Sequence, residues 1–255
     1  MNGTYENIDC MELMARYPDK HFDLVVSDIP YGINVCKMAF LKEMSNGVRQ
    51  KNGKVLNPYK TKNYSKNNFD SIVPSQEYYN ELKRISRNQI IFGIDYTGWE
   101  GVSKGRLKWD KCFDDKVSFS RYEIAYQSFT EEEIEIKLLW AGMMQAKSLS
   151  EPTTQQGNKK LNEKRIHPTQ KPILLYKSLF SKFANIGDLI LDTHVGSGSS
   201  LIACEDFDLE YVGSEIDSFT YSQSLQRLEA HLAQGKLFQR LGRDEIRLEQ
   251  PSMFA

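Results

Sequence analysis

Phe22-Asp23-Leu24-Val25-Val26-Ser27-Asp28-Ile29-Pro30-Tyr31 decides how this chain of 255 residues is read. An apolar, β-branched run stopped by a polar residue and a proline predicts a buried strand over 22–26, with Asp28 to Gly32 as the loop leaving its carboxyl end. In open α/β sheets ligands bind just beyond the carboxyl ends of the strands, so chemistry is expected on this loop. Asp28 offers a carboxylate acceptor, Ile29-Pro30 a backbone carbonyl on a stiffened turn, and Tyr31 a flat ring. Those parts suit the holding of a planar ring by an exocyclic amino group.

Outward from this stretch the pattern alternates between strand and helix. Tyr5 to Ile8 reads as a strand and Asp9 opens a helix to about Tyr17, which suggests that the chain enters the middle of a doubly wound sheet. Ser75 can cap a helix to about Arg87 with Tyr78, Tyr79, Leu82 and Ile85 on one face, and Asn88 to Gly93 reads as the next buried strand. Leu107 to Trp109, Tyr122 to Gln127 and Ile134 to Trp140 are expected to form an antiparallel edge, with Glu131-Glu132-Glu133 as a solvated turn. From His167 the alternation resumes: a helix from Ile173 to Phe183, a strand over 189–191, a helix through Cys204 and Phe207, a strand from Tyr211 to Glu215 and a helix from Ser218 to Gly235. The prediction is an α/β doubly wound sheet in one catalytic domain, 1–255. It carries an inserted basic loop at 33–70 and a variable segment at 101–165.

Apolar content of 40% and charged content of 26% are those of a soluble globular protein. No basic-then-apolar leader and no apolar run of spanning length is present, so neither a secretion signal nor a membrane segment is expected. Cys10, Cys36, Cys112 and Cys204 are scattered without paired-ligand spacing. That argues against a metal site or a disulfide framework and for a cytoplasmic setting. The net charge of -1 argues against a globally basic coat, yet between Lys37 and Lys66 there are eight cations against the single acid Glu43. Lys51, Lys54, Lys60 and Lys62 in this loop are candidates for docking a phosphate backbone, and the polar segment 147–165 is a second candidate. A loop so polar is expected to order only on its ligand.

Gly196-Ser197-Gly198 follows one strand and opens a helix, and the acid Glu215 ends the next strand, which is the layout of a nucleoside-binding βαβ unit. The dinucleotide fingerprint lacks its third glycine, since Leu201 stands there. A nicotinamide-dependent oxidoreductase therefore remains only as an alternative.

Asp28-Ile29-Pro30-Tyr31 resembles the Asp-Pro-Pro-Tyr motif of DNA amino-methyltransferases, with Ile29 replacing the first proline. Asp192-Thr193-His194-Val195-Gly196-Ser197-Gly198 resembles their S-adenosylmethionine loop, with His194 at its aromatic position, where it also reads as a buried structural histidine. His167-Pro168-Thr169-Gln170-Lys171-Pro172 resembles the segment lining the methionine end of that cofactor, and Asp9, otherwise a helix N-cap, matches the position meeting its adenine. Catalytic loop first and cofactor loop last resembles the circularly permuted β class. The resemblance is strong over 22–32 and 165–217 and loose over 34–164.

The resemblance implies a Rossmann-like methyltransferase fold in which the strands ending at Asp28 and Asp192 lie side by side. It implies site-specific methylation of adenine N6 in double-stranded DNA, with S-adenosylmethionine as cofactor. Cytosine N4 is the alternative, and a catalytically silent nucleic-acid-binding protein is the alternative from another class. Asp28 and the Ile29 carbonyl would accept the amino hydrogens, and Tyr31 would stack on the base. Asp9, His167, Thr169, Gln170, Lys171, Pro172, Asp192, His194, Gly196, Ser197, Gly198, Ser199, Ser200, Glu215 and Ile216 would surround the cofactor, with no metal. A homodimer and a partner restriction endonuclease stay open as partners.

Overall fold

The computed structural model describes residues 1–33, 70–113, 120–141 and 143–238. Strand β2 (Phe22–Asp28) lies near the centre of an eight-stranded sheet. Its neighbours are β3 (Ser86–Phe92) and β9 (Leu189–Asp192), both parallel to it, with Val26 opposite Ile90 and Val25 opposite Leu191. The expected adjacency of the strands ending at Asp28 and Asp192 is thus observed.

The remaining strands are β1 (Gly3–Glu6), β4 (Arg106–Asp110), β5 (Tyr122–Gln127), β6 (Glu133–Lys137) and β10 (Glu210–Ser214), in the sheet order β1-β10-β9-β2-β3-β5-β4-β6. From β2 the chain moves through α2 (Gln76–Ile85) to β3 on one side. From β9 it moves through α4 (Ser199–Asp206) to β10 on the other. The order reverses between β2 and β9, which makes their carboxyl ends the topological switch point where such sheets bind ligands.

Three sequence expectations need correction. The chain enters at the sheet edge, as β1 beside β10, and reaches the middle only with β2; a strand-helix-strand opening does not say which strand is flanked. The segment 101–165 is not wholly antiparallel, because β4 pairs antiparallel with β5 but parallel with β6. The run 134–140 is broken: β6 ends at Lys137, and Trp140–Ala141 (β7) turns to pair with Met144–Gln145 (β8). Period-two alternation fixes which face a residue takes and leaves strand direction open.

Alternation in β2 also divides the core. Leu24 and Val26 pack with Leu175, Leu179 and Ile202 of α3 (Ile173–Phe183) and α4. Val25 packs on the other face with Tyr78, Tyr79 and Leu82 of α2 and Leu13 of α1 (Cys10–Met14). Helix α5 (Ser218–Phe238) adds Leu228 to the first core. With helices on both faces, the parallel strands read as continuous apolar runs. Among the described residues no helix is long and apolar enough to cross a membrane.

Candidate active site

Beyond β2 the chain turns sharply. The Ile29 side chain is buried in the core beside α2, and the backbone N–H groups of Tyr31 and Gly32 both donate to Asp70 Oδ1, at 2.6 and 3.1 Å. Gly32 adopts φ +72°, a left-handed conformation that glycine takes without steric cost. The Tyr31 ring stacks on Tyr96 with centroids 4.9 Å apart and planes 13° apart.

Asp28 is the centre of a charged cluster drawn from distant parts of the chain. Its Oδ1 accepts from the Lys171 ammonium and lies 3.0 Å from the Tyr31 hydroxyl, whose one proton is shared between Asp28 Oδ1 and Glu123 Oε1, the latter at 2.7 Å. Its Oδ2 has no hydrogen-bond partner among the described residues. Lys171 also reaches Glu123 Oε1 at 2.9 Å and the Tyr31 oxygen at 3.0 Å, and Lys111 reaches Glu123 Oε2 at 3.1 Å. Burial raises the Asp28 pKa, and Lys171 opposes the rise. For Lys171, burial is outweighed by Asp28 and Glu123, so the ammonium is held above its ordinary value. For Glu123, burial is outweighed by Lys171 and Lys111, and its carboxyl falls to about 2.

The glycine loop leaves β9 next door. Gly196 and Gly198 take φ +54° and +77°. A Cβ at Gly196 would meet only the His194 carbonyl oxygen, at 3.8 Å, so that backbone borders open space. Gly196 N–H donates to Glu215 Oε2 at 3.0 Å, and Glu215 Oε1 accepts from Asp217 N–H at 2.8 Å. The acid at the end of β10 thereby braces the loop from the next strand. Asp192 lies beneath, accepting from His194 N–H and the Ser200 hydroxyl, and burial lifts its pKa to about 7. Burial drives His194 down to about 4, which leaves a neutral ring against Thr193 Oγ1. Asp9 caps α1 by accepting from Met11 and Glu12 N–H, so the N-cap reading holds, and it also faces the cavity.

A cavity of about 1410 Å³ joins the two loops, larger than the roughly 300–1,000 Å³ of a typical small-ligand pocket. Asp9, Asp28 to Tyr31, His167, Thr169, Gln170, Lys171, His194, Gly196, Ser197, Glu215 and Ile216 line it. Pro172, Asp192, Gly198, Ser199 and Ser200 do not. Pro172 starts α3, Gly198 caps α4, and Ser199 and Ser200 are buried in that helix. Lys51, Lys54, Lys60 and Lys62 lie outside the described residues. Lys171 is not the solvated lysine that a plain proline-bounded turn would carry; at 4% exposure it is sealed against Asp28.

Several participants carry no signal in the sequence. Glu123 is one acid on a strand with no motif around it, and Tyr96 sits in a short 3-10 turn after Gly93. Arg227 of α5 pairs with Glu163 at 2.5 Å and donates to the Ser197 carbonyl at 2.6 Å. Gln170 donates to the same Glu163 carboxylate at 2.7 Å. Ser27, Tyr78 and Thr193 join their hydroxyls across β2, α2 and β9. All of these bonds except that of Gln170 span far more sequence than a local pattern can report.

A family model described as DNA methylase, of the N6/N4 type, matches residues 33–226. The Escherichia coli (strain K12) protein named "Putative methylase YubD" is 23% identical over 237 residues, covering 87% of this chain and 88% of that protein. The type II methyltransferase M.HpaI of Haemophilus parainfluenzae is 34% identical over 64 residues, 25% of this chain and 20% of that enzyme. Among solved structures, the M1.HpyAVI-SAM complex superposes with a TM-score of 0.50 at 16% identity, covering 88% of this chain and 99% of that one.

Proposed function

The chain belongs to the N6/N4 DNA methylase family, and from that premise we propose that it methylates N6 of adenine at specific sites in double-stranded DNA. It is a DNA methyltransferase acting on exocyclic amino groups, with S-adenosylmethionine as methyl donor. The matched span begins after Tyr31, so the roles given to 28–31 are argued from geometry. The observation that carries the reading is that Asp28 Oδ2, which has no hydrogen-bond partner among the described residues, shares a cavity with the bare backbone of Gly196.

The residues around the glycine loop fit the cofactor. Open space at Gly196 admits close backbone approach, and the Glu215 carboxylate at the end of β10 suits ribose hydroxyls. Asp9 and the segment from His167 supply the remaining walls. When bound there, S-adenosylmethionine supplies an electrophilic methyl group.

Asp28 Oδ2 and the Ile29 carbonyl accept the two amino hydrogens of the target base, which fixes the direction of the nitrogen lone pair. The Ile29 side chain is committed to the core, so the backbone is what that residue contributes and isoleucine can replace proline. Such a base has to leave the duplex stack, and Tyr31 and Tyr96 offer aromatic faces that offset part of the unstacking cost. A purine fills more of that aromatic wall than a pyrimidine does, which favours adenine. Holding acceptor and nucleophile in a fixed relation supplies much of the rate. Lys51, Lys54, Lys60 and Lys62 are assigned to the phosphates, and 101–165 to target recognition.

The test is to incubate enzyme, DNA and S-adenosylmethionine labelled in its methyl group, digest the DNA and separate the nucleosides. Label in N6-methyladenine is the expected result. Label in N4-methylcytosine would keep the amino-group chemistry and replace adenine, and no label in DNA would overturn the reading.

A further inference from the structure

Glu123 lies on β5, in a stretch without a motif, yet its carboxylate enters the catalytic cluster. The Lys171 ammonium donates to Asp28 and to the Tyr31 oxygen and pairs with Glu123 at 2.9 Å. All three contacts turn the Lys171 ammonium toward the Asp28 carboxylate. Lys111, on the far side of Glu123, balances the second negative charge.

We propose that Glu123 is a positioning residue for methyl transfer: acting through Lys171, it holds the Asp28 carboxylate with Oδ1 engaged and Oδ2 turned free for the amino group. This rests on the reading of Asp28 as the acceptor. A buried four-charge cluster is a poor means of stabilising a fold, since apolar residues of the same volume do as well or better. Its placement on the catalytic loop is that of a preorganised support, which keeps a catalytic group in one rotamer. Against the effect of burial, Lys171 and Lys111 hold its carboxyl down to about 2, so Glu123 is a weak proton acceptor and acts by charge and position. It also connects β5, in the segment assigned to target recognition, with the catalytic loop at the end of β2.

Two substitutions give opposite signs. The groups facing Asp28 are Tyr31 from its own loop, Lys171 from the turn before α3 and Glu123 from β5 with Lys111 behind it. Asp192 of β9 and Tyr176 of α3 lie within electrostatic reach. Glu123→Gln removes a negative charge that raises the Asp28 pKa, so the acid limb of the kcat profile should move to lower pH. Lys171→Met removes the positive charge that lowers it, so the limb should move to higher pH. Both should reduce kcat by roughly ten- to a hundredfold, the scale of a misplaced reacting group. S-adenosylmethionine affinity by calorimetry and the far-UV circular dichroism spectrum should match wild type.

A Glu123→Gln enzyme with wild-type kcat and an unmoved acid limb would overturn the proposal. So would limbs that move in the same direction in the two variants. If Lys171→Met does not fold, the isosteric Glu123→Gln alone decides. A wild-type enzyme that transfers no label to DNA would instead remove the Asp28 reading, an outcome distinct from equal activity of wild type and variant.

Discussion

Gly93 makes room for the ring of Tyr31: a Cβ built on Gly93 would stand 2.4 Å from Tyr31 Cε1 and 2.5 Å from Cδ1. The glycine follows β3 at φ +90° and faces the catalytic loop of the neighbouring strand. Gly93→Ala should therefore push the ring off its stacking position and lower methylation by more than roughly tenfold, a misplacement cost of the usual size. S-adenosylmethionine binding should persist, because the glycine loop lies on the other side of β2. Single-turnover kinetics beside calorimetry would separate the two effects.

The two glycines of the cofactor loop are not equivalent. The resemblance read in the sequence puts both Gly196 and Gly198 around the cofactor. In the fold a Cβ at Gly198 points instead at Ser224 of α5, 3.3 Å from its Cβ, and the constraint is φ +77° together with helix packing. Gly196 is the residue that borders open space. Gly196→Val should abolish S-adenosylmethionine binding with a modest loss of stability, whereas Gly198→Val should lower the Tm as well. Equal cofactor affinity in Gly196→Val and wild type would place the cofactor elsewhere.

Removing the acceptor should separate binding from chemistry. Asp28→Ala deletes an interaction that matters only when the base is in place, so methylation should fall by roughly a hundredfold or more, on the scale of one preorganised polar group. Cofactor affinity should be unchanged, since among the described residues Asp28 bonds to Lys171 and Tyr31 and to no residue of the glycine loop. Methylation at the wild-type rate would end the assignment.

What is legible in the sequence follows the range of the interactions. The Asp28 loop and the Gly196 loop each result from a strand, a turn and a helix start that lie close together in the chain or are marked by their own residues, and both loops stand at the strand ends where sequence puts them. Lys171 reads as a cofactor neighbour because the residues around it resemble a cofactor segment, yet its partner Asp28 lies 143 residues away. Glu123 is 92 residues from the Tyr31 hydroxyl it accepts from. Its neighbours Tyr122 and Ile124 give an ordinary strand pattern, and only the pairing of β5 with β3 brings its side chain to the loop. The edge position of β1 and the parallel direction of β6 are hidden for the same reason. Both depend on pairing between distant strands, which alternation does not encode.

Asp192 should make stability depend on pH. Its carboxyl titrates at about 7 in the fold because burial disfavours the charge, whereas the unfolded chain holds the ordinary carboxylate value. Between those values the native state binds a proton that the unfolded state has released, so stability falls as pH rises. The contribution is complete below the unfolded pKa and disappears as pH climbs through about 7. Asp192→Asn, which cannot ionise, should gain Tm relative to wild type more under mildly alkaline than under mildly acidic conditions. Parallel Tm curves for the two proteins over that range would show that Asp192 is ionised in the fold.

Lys51, Lys54, Lys60 and Lys62 lie outside the described residues, and their assignment to phosphates is tested by salt dependence. Asp70 closes the inserted basic segment, and its carboxylate accepts from the backbone of Tyr31 and Gly32, where that segment begins. Both ends of the segment therefore meet at the Asp28 loop. Phosphates flanking a base drawn into the cavity would lie at its mouth. Neutralising Lys51, Lys54, Lys60 and Lys62 together should weaken binding to all DNA sequences alike and reduce the slope of log affinity against log salt by about 0.9 for each phosphate no longer neutralised. Cofactor affinity should stay at the wild-type value. A wild-type salt slope in that variant would move the phosphate surface to the segment 147–165, where Arg165 stacks its guanidinium on Trp140, 4.7 Å from the ring centroid and on the cavity wall.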